Sequence, residues 1–340
     1  MKIRWFLIGI ASAAAVALGI FATYLFTQNS SETANPDSSP SVTREGSTGV
    51  IRVATSTNVW ASVIELIGGE YVEVTAIITD PLQDPHSYEA SARDQLAIAD
   101  AELVIANGGG YDEFMDVLVS ASEGEKVFLK LVEGEHKHTE EEHAHEGEEA
   151  HADEHAHEGE EAHADEHAHD HGNEHIWYDL ALVAKAAEQI AEAINELRPE
   201  AFDEVNENYD FFISELANLE LRVESTKGTT VIALEGVGNL LLEDAGFEDI
   251  TPADLADAIE EEREVPAAAL DQARNLITGK VAGLLVVNAQ MLDQVSETLI
   301  EAANESGVPV VTLSELIIKP DQDYLDFMAE VLDQIQDAVD

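Results

Sequence analysis

The chain has 340 residues and a formal charge of −54, from 16 Lys+Arg against 70 Asp+Glu, and at roughly 150 residues per domain that length implies about two domains. Hydrophobic residues at 45% and charged residues at 25% exclude wholesale disorder, while a charge this negative repels phosphate backbones and anionic lipid headgroups and so excludes nucleic-acid binding. Cysteine is absent, which removes disulfides, thiolate metal sites, thiol nucleophiles, iron–sulfur clusters and a lipid-modified cysteine, and leaves nitrogen and oxygen to hold any metal.

At the amino end Lys2 and Arg4 precede an apolar run from Trp5 to Phe26, followed by a polar stretch up to Gly49. A positive flank before an apolar core is the layout of an export signal. The run is longer than a cleavable signal core and long enough to span a bilayer. We read 1–27 as an uncleaved anchor, with a cleaved signal peptide as the second reading, and 28–49 as a flexible tether. The positive-inside rule then places everything beyond the segment outside the cytoplasm.

Short β-branched runs then alternate with helical spacing. Strands are expected at 50–56, 72–78, 103–106 and 127–132, with helices at 59–67 and from Ser91 to Ala101. Ser91 and Asp94 have the spacing of a capping box. A loop at 79–89 follows the second strand, and Asn107-Gly108-Gly109-Gly110 ends the third. After a histidine-rich tract the spacing predicts an amphipathic helix over 179–197, a break at Pro199, and one long helix over 200–225. Phe202, Val205, Tyr209, Phe212, Leu216 and Leu219 form the apolar stripe of that long helix. Further strands are expected at 229–234, 247–250, 281–288 and 308–313.

The fold class is therefore α/β: two lobes, each a mainly parallel sheet flanked by helices. The first spans 50–198 and the second 227–340, and one long rigid helix, 199–226, bridges them. A single rigid connector implies lobes of nearly fixed relative position.

The tract, 136–171, holds 11 of the 13 histidines, and HAHEGEEAHADE occurs in it twice in succession, from His143 and from His155. With little apolar surface beyond alanine methyls it is expected to be a mobile loop. Its imidazoles, among them His143, His145, His155, His157, His167, His169 and His171, form a compositional metal binder beside carboxylates that concentrate cations. The alternative is a solubilising spacer. Such a loop offers no fixed geometry and is an auxiliary site at most.

Only His86 and His175 lie outside the tract. His86 stands in Asp84-Pro85-His86-Ser87-Tyr88-Glu89, past the carboxyl end of the strand 72–78, and His175 stands in Glu174-His175-Ile176-Trp177, just before a helix. Ligands in open α/β sheets bind outside the carboxyl ends of strands. The same rule selects Glu235, which follows 229–234, and Glu315, just past 308–313. Two imidazoles and two carboxylates suit Zn²⁺ or Mn²⁺. With every position filled by protein, such a site holds a metal rather than using it. Each residue also has a plainer reading: a loop histidine that only hydrogen-bonds, or an acid placed at a helix amino terminus. Tyr88, Trp177 and Gly108–Gly110 read as core and turn residues.

The sequence resembles the metal-binding proteins of ABC importers for zinc and manganese. The resemblance runs from about residue 50 to 339. It rests on Ser56-Thr57-Asn58-Val59-Trp60, on 68–74 (GGEYVEV), on Asp84-Pro85-His86-Ser87-Tyr88-Glu89, on 99–108 (ADAELVIANG) and on His175-Ile176-Trp177. It implies two lobes bridged by one helix and four ligands: His86, His175, Glu235 and Glu315. For the fourth ligand a strict alignment places Leu313 there, a Ser-Glu form gives Ser314-Glu315, and Asp321 and Asp323 stand in reserve. The histidine tract resembles the loop of zinc-type members, whereas Glu235 in place of histidine resembles the manganese type. We expect Zn²⁺ as the transported ligand, with Mn²⁺ as the alternative.

The implied partner is an ABC permease, served by a monomeric receptor tethered at the cell surface or in the periplasm. A tethered metal buffer or adhesin without a permease is a further alternative. A zinc hydrolase would need an open coordination position and a general base, and no HExxH is present.

Overall fold

The computed structural model describes residues 49–81, 83–132, 173–260 and 263–339. The amino-terminal segment, most of the tether and the histidine tract lie outside the described residues. None of the helices among the described residues is long and apolar enough to cross a membrane.

The chain runs β1 (Ile51–Thr57), α1 (Asn58–Gly68), β2 (Val72–Ile78), α2 (Ala92–Asp100), β3 (Leu103–Gly108), α3 (Phe114–Ser120) and β4 (Val127–Val132). Beyond the tract come α4 (Leu180–Leu197), α5 (Phe202–Ser225), β5 (Thr230–Ala233), α6 (Asn239–Asp244) and β6 (Glu248–Asp249). The remainder is α7 (Ala253–Glu260), α8 (Ala267–Thr278), β7 (Leu284–Asn288), α9 (Gln294–Ser306), β8 (Val310–Leu313) and α10 (Tyr324–Val339). The strands form two four-stranded sheets, ordered β2-β1-β3-β4 and β6-β5-β7-β8, and every pairing is parallel.

Parallel strands covered on both faces read as continuous apolar runs, and the period of two sorts them here. Val53, Leu103 and Ile105 face a large core built with α1, α4, α5 and α10, while Ala54, Val104 and Ala106 face a smaller one with Ile98, Met115 and Leu118. In the second sheet Val231, Leu284 and Val286 join the same large core, whereas Ile232, Leu285 and Val287 pack on Ala273, Ile277 and Leu299. One hydrophobic core therefore runs through the helical layer from one sheet to the other. Trp60, Trp177, Phe212 and Tyr324 are fully buried in it.

Helix α5 has 24 residues and is about 36 Å long at 1.5 Å per residue. Val205, Phe212, Leu216 and Leu219 of its stripe are buried. Phe202, in the stripe by spacing, is 56% exposed, and Ala201 of the preceding 3₁₀ turn, Pro199–Ala201, takes the buried place. The Ser91–Asp94 capping box forms with both reciprocal bonds. Strands β7 and β8 are shorter than their apolar runs, because Val281 and Val308 belong to the approach turns after α8 and α9.

In each sheet the connections leave in opposite directions on either side of a central strand pair. That reversal opens a crevice between β1 and β3 in the first sheet and between β5 and β7 in the second.

Candidate metal centre

His86 sits in the loop after β2. Its backbone N–H donates to Asp84 Oδ1 at 2.9 Å, an Asx turn that fixes where the ring leaves the chain. The ring packs edge-on against Tyr111 at 5.2 Å and lies 5.5 Å from the His175 ring. His86 Nδ1 lies 3.3 Å from Glu174 Oε1, and Nε2 lies 3.4 Å from Glu315 Oε2.

His175 precedes the 3₁₀ turn Ile176–Tyr178 and is 3% exposed. Asn173 Oδ1 accepts from both the backbone N–H and the ring Nδ1–H of His175 at 2.9 Å, and Asn173 Nδ2 donates to the Gly236 carbonyl at 2.8 Å. Because the amide nitrogen is committed to Gly236, the oxygen faces the imidazole. That selects the Nδ1–H tautomer and turns the Nε2 lone pair inward. His175 Nε2 lies 4.0 Å from Glu315 Oε2.

Glu315 is wholly buried just past β8. Its backbone N–H donates to Gln290 Oε1 at 3.0 Å. Its Oε2 accepts the Tyr111 hydroxyl at 2.9 Å, and its Oε1 accepts Asn288 Nδ2 at 2.6 Å. Asn288 ends β7 and donates its other amide hydrogen to Glu235 Oε2. Glu235 follows β5 with a left-handed backbone, φ +66°, in the turn that leads through Gly238. A Cβ on Gly238, at φ +75°, would come within 2.3 Å of Leu313 Cδ1, so only glycine lets this turn close against β8.

Among the described residues His86, His175 and Glu315 each offer one ligand atom, all within 4.8 Å of one another. A tetrahedral zinc site with bonds of about 2.1 Å has ligand edges of about 3.4 Å. The His86–Glu315 separation already has that length, and the His175 approach is about half an ångström longer. Both Nε2 atoms are buried and make no hydrogen bond among the described residues. For His175, whose Nδ1 carries the hydrogen, a buried Nε2 lone pair costs desolvation energy unless an electrophile takes it, whereas His86 Nε2 faces the Glu315 carboxylate. The donor set therefore fits a divalent transition metal.

Electrostatics agree. Burial opposes charge on His86, but Glu315, then Glu174 and Glu235, outweigh it and push the imidazole up to about 9. Burial drives His175 down to about 4 against the pull of Glu315. Burial and the Glu315 charge push Glu235 up to about 8. Glu315 is held below the usual carboxylate range: burial works against this, and His86, His175 and Asn288 prevail.

Glu235 is not among the side chains whose ligand atoms converge, and it is joined to Glu315 through Asn288. Leu313 is a core residue. Asp323 caps α10, accepting the Asp326 N–H at 2.8 Å, and Asp321 lies in a left-handed turn lining a separate groove. Trp177 is core, as expected, and Gly108 at the end of β3 and Gly109 and Gly110 in the turn after it all take positive φ. Tyr88 is half-buried and donates its hydroxyl to Asp94 at 2.8 Å. The tract histidines His143, His145, His155, His157, His167, His169 and His171 lie outside the described residues. Sequence reasoning missed Asn288, Tyr111 and Asn173. The strand-end rule, applied to β7 as it was to β5, points to Asn288, whereas nothing local marks Asn173.

Comparison with known proteins extends this picture. A curated relative, the manganese-binding lipoprotein MntA of Halalkalibacterium halodurans, is 36% identical over 70 residues, a stretch that covers 20% of this chain and 23% of that protein. The periplasmic zinc-binding protein TroA from Treponema pallidum superposes with a TM-score of 0.64 at 18% identity, covering 86% of this chain and 99% of that one. A crystal structure of ZnuA gives 0.65 at 20% identity, covering 86% and 100%. The Mn-bound S38A mutant of a periplasmic metal-binding protein from Candidatus Liberibacter asiaticus gives 0.63 at 19% identity, covering 85% and 99%. These structures share the two-lobed fold. The model of the family described as zinc-uptake complex component A, periplasmic, matches residues 53–338, and the chain belongs to that family, one of solute-binding proteins rather than enzymes.

Proposed function

We propose that the protein is an extracytoplasmic receptor that captures Zn²⁺ through His86, His175, Glu235 and Glu315 and delivers it to an ABC permease. The observation that carries this reading is the convergence of two buried imidazole Nε2 atoms, neither hydrogen-bonded among the described residues, on one buried carboxylate oxygen. The family match supports the transport role. Zinc outranks manganese for a given N/O site, and the histidine tract resembles the loop of zinc-type members. In this reading 1–27 anchors the receptor, 28–49 tethers it, and the lobes at 50–198 and 227–340 flank the site across the helix 199–226. The tract 136–171 gathers metal near it.

A manganese receptor is the second reading. The two carboxylates favour it, since harder oxygen ligands suit Mn²⁺.

Competitive zinc and manganese titrations of the chain, with and without 136–171, test both readings. One tight zinc equivalent should survive deletion of the tract and disappear in His175→Ala. A manganese preference without the tract selects the second reading. Loss of all tight binding with the tract removes the four-ligand site and leaves a tethered metal buffer.

A further inference from the structure

Asn288 lies at the carboxyl end of β7, beside the crevice where the second sheet reverses direction. It is 2% exposed. Its Oδ1 accepts the Gln290 N–H at 3.0 Å, which fixes which end of the amide is nitrogen. The two amide hydrogens then go to two different carboxylates, to Glu315 Oε1 at 2.6 Å and to Glu235 Oε2. All three polar functions of the amide are thus committed, and the side chain has no alternative orientation that preserves them.

Each carboxylate is thereby divided between its two oxygens. On Glu315, Oε1 is turned to Asn288, and Oε2 faces both histidines while accepting the Tyr111 hydroxyl. On Glu235, Oε2 is turned to Asn288, and in the four-ligand reading it is Oε1 that swings onto the ion. The left-handed backbone at Glu235 fixes the direction of its Cβ, and Glu235 and Asn288 themselves line a cavity of about 30 Å³ together with Leu234, Met291, Asp293 and Ser296. Chelation by both oxygens of either carboxylate would require turning the clamped oxygen away from the amide and onto the ion.

We infer that Asn288 is a positioning residue that sets metal specificity by holding Glu235 and Glu315 to one oxygen each. This rests on the four-ligand reading above and deepens it. Two imidazoles and two single oxygens make a four-coordinate site, the number zinc favours. Manganese, whose sites are typically octahedral and oxygen-rich, gains its extra ligands from such carboxylates only by bidentate binding. The clamp discriminates by withholding those oxygens.

The test uses the full chain loaded with half an equivalent of zinc, so that only the tightest site fills, and reads coordination number by X-ray absorption. Competition titration supplies the Zn²⁺/Mn²⁺ affinity ratio. The wild type should show about four N/O ligands including two imidazoles. Asn288→Leu, which keeps the size and removes the donors, should raise the coordination number. It should also lower the Zn²⁺/Mn²⁺ ratio about tenfold or more, the scale of one charge-assisted hydrogen bond. Asn288→Asp, which keeps the oxygen that Gln290 uses, should move both readings the same way.

A wild-type spectrum with bidentate carboxylates overturns the inference without any variant, which covers the case in which Asn288→Leu fails to fold. Unchanged coordination and ratio in the variants overturn it too. A tight site lost in His175→Ala but indifferent to Asn288 overturns the clamp alone. A tight site indifferent to His175→Ala overturns the metal centre and the clamp with it.

Discussion

A proton count at the centre determines how its affinity depends on pH. At neutral pH His86, pushed up to about 9, and Glu235, pushed up to about 8, each carry a proton, whereas His175, lowered to about 4, does not. A metal that takes all four side chains must displace two protons there. Affinity should therefore climb with pH through neutrality and level once both groups have lost their protons, above about pH 9. Titration calorimetry in buffers of different ionisation enthalpy reads the count directly, and release of no proton at about pH 7 would mean that the metal displaces none from His86 or Glu235. Asn173 acts on the same centre from behind. Without its oxygen His175 loses the partner that fixes its tautomer, so Asn173→Ala should weaken zinc binding about 10–100-fold, measured by competition with a chromophoric chelator. An unchanged affinity would show that the buried wall of Tyr111 and Trp177 orients the ring unaided.

Elements with strong local signals were legible in the sequence, and those set by tertiary context were less so. The capping box at Ser91 is a purely local device, and it formed where the spacing placed it. Ser91→Ala should cost about 1 kcal/mol of stability in urea unfolding while leaving zinc affinity unchanged; a change in affinity would mean that α2 steers the His86 loop. The buried strands were visible as apolar runs, but their ends were not, because Val281 and Val308 extend those runs in sequence while belonging to the approach turns. His86 and His175 stood out because other histidines are confined to one tract. Asn288 and Asn173 did not, since an asparagine reveals its role only through the partners the fold brings to it. Glu315 was reached by the strand-end rule, and its total burial between both histidines, Tyr111 and Asn288 is a property of the assembled cleft.

For the molecule between residues 49 and 339, the continuous core has a mechanical consequence. Hydrogen bonds from loops and helix ends tie the first lobe to the second around the cleft. The Asn58 side chain donates to the Ile317 carbonyl at 2.7 Å and accepts the Ile317 N–H at 3.0 Å. Gln290 donates to the Pro81 carbonyl, the Tyr178 hydroxyl donates to the Ser314 carbonyl, and Tyr324 reaches both Ser62 and Trp177, each at 2.8 Å. With these bonds laid over a shared core, opening by a hinge would expose packed apolar surface, and small sliding of the packed helices is the motion that remains. The absence of native cysteine makes this directly measurable with spin labels at Leu96→Cys on α2 and Glu297→Cys on α9. Zinc should move the inter-label distance by no more than about 2 Å, the scale of helix shifts rather than domain closure. A larger change would mean that the core parts between the sheets, and that the metal closes the cleft by driving lobes together instead of by drawing four side chains onto itself.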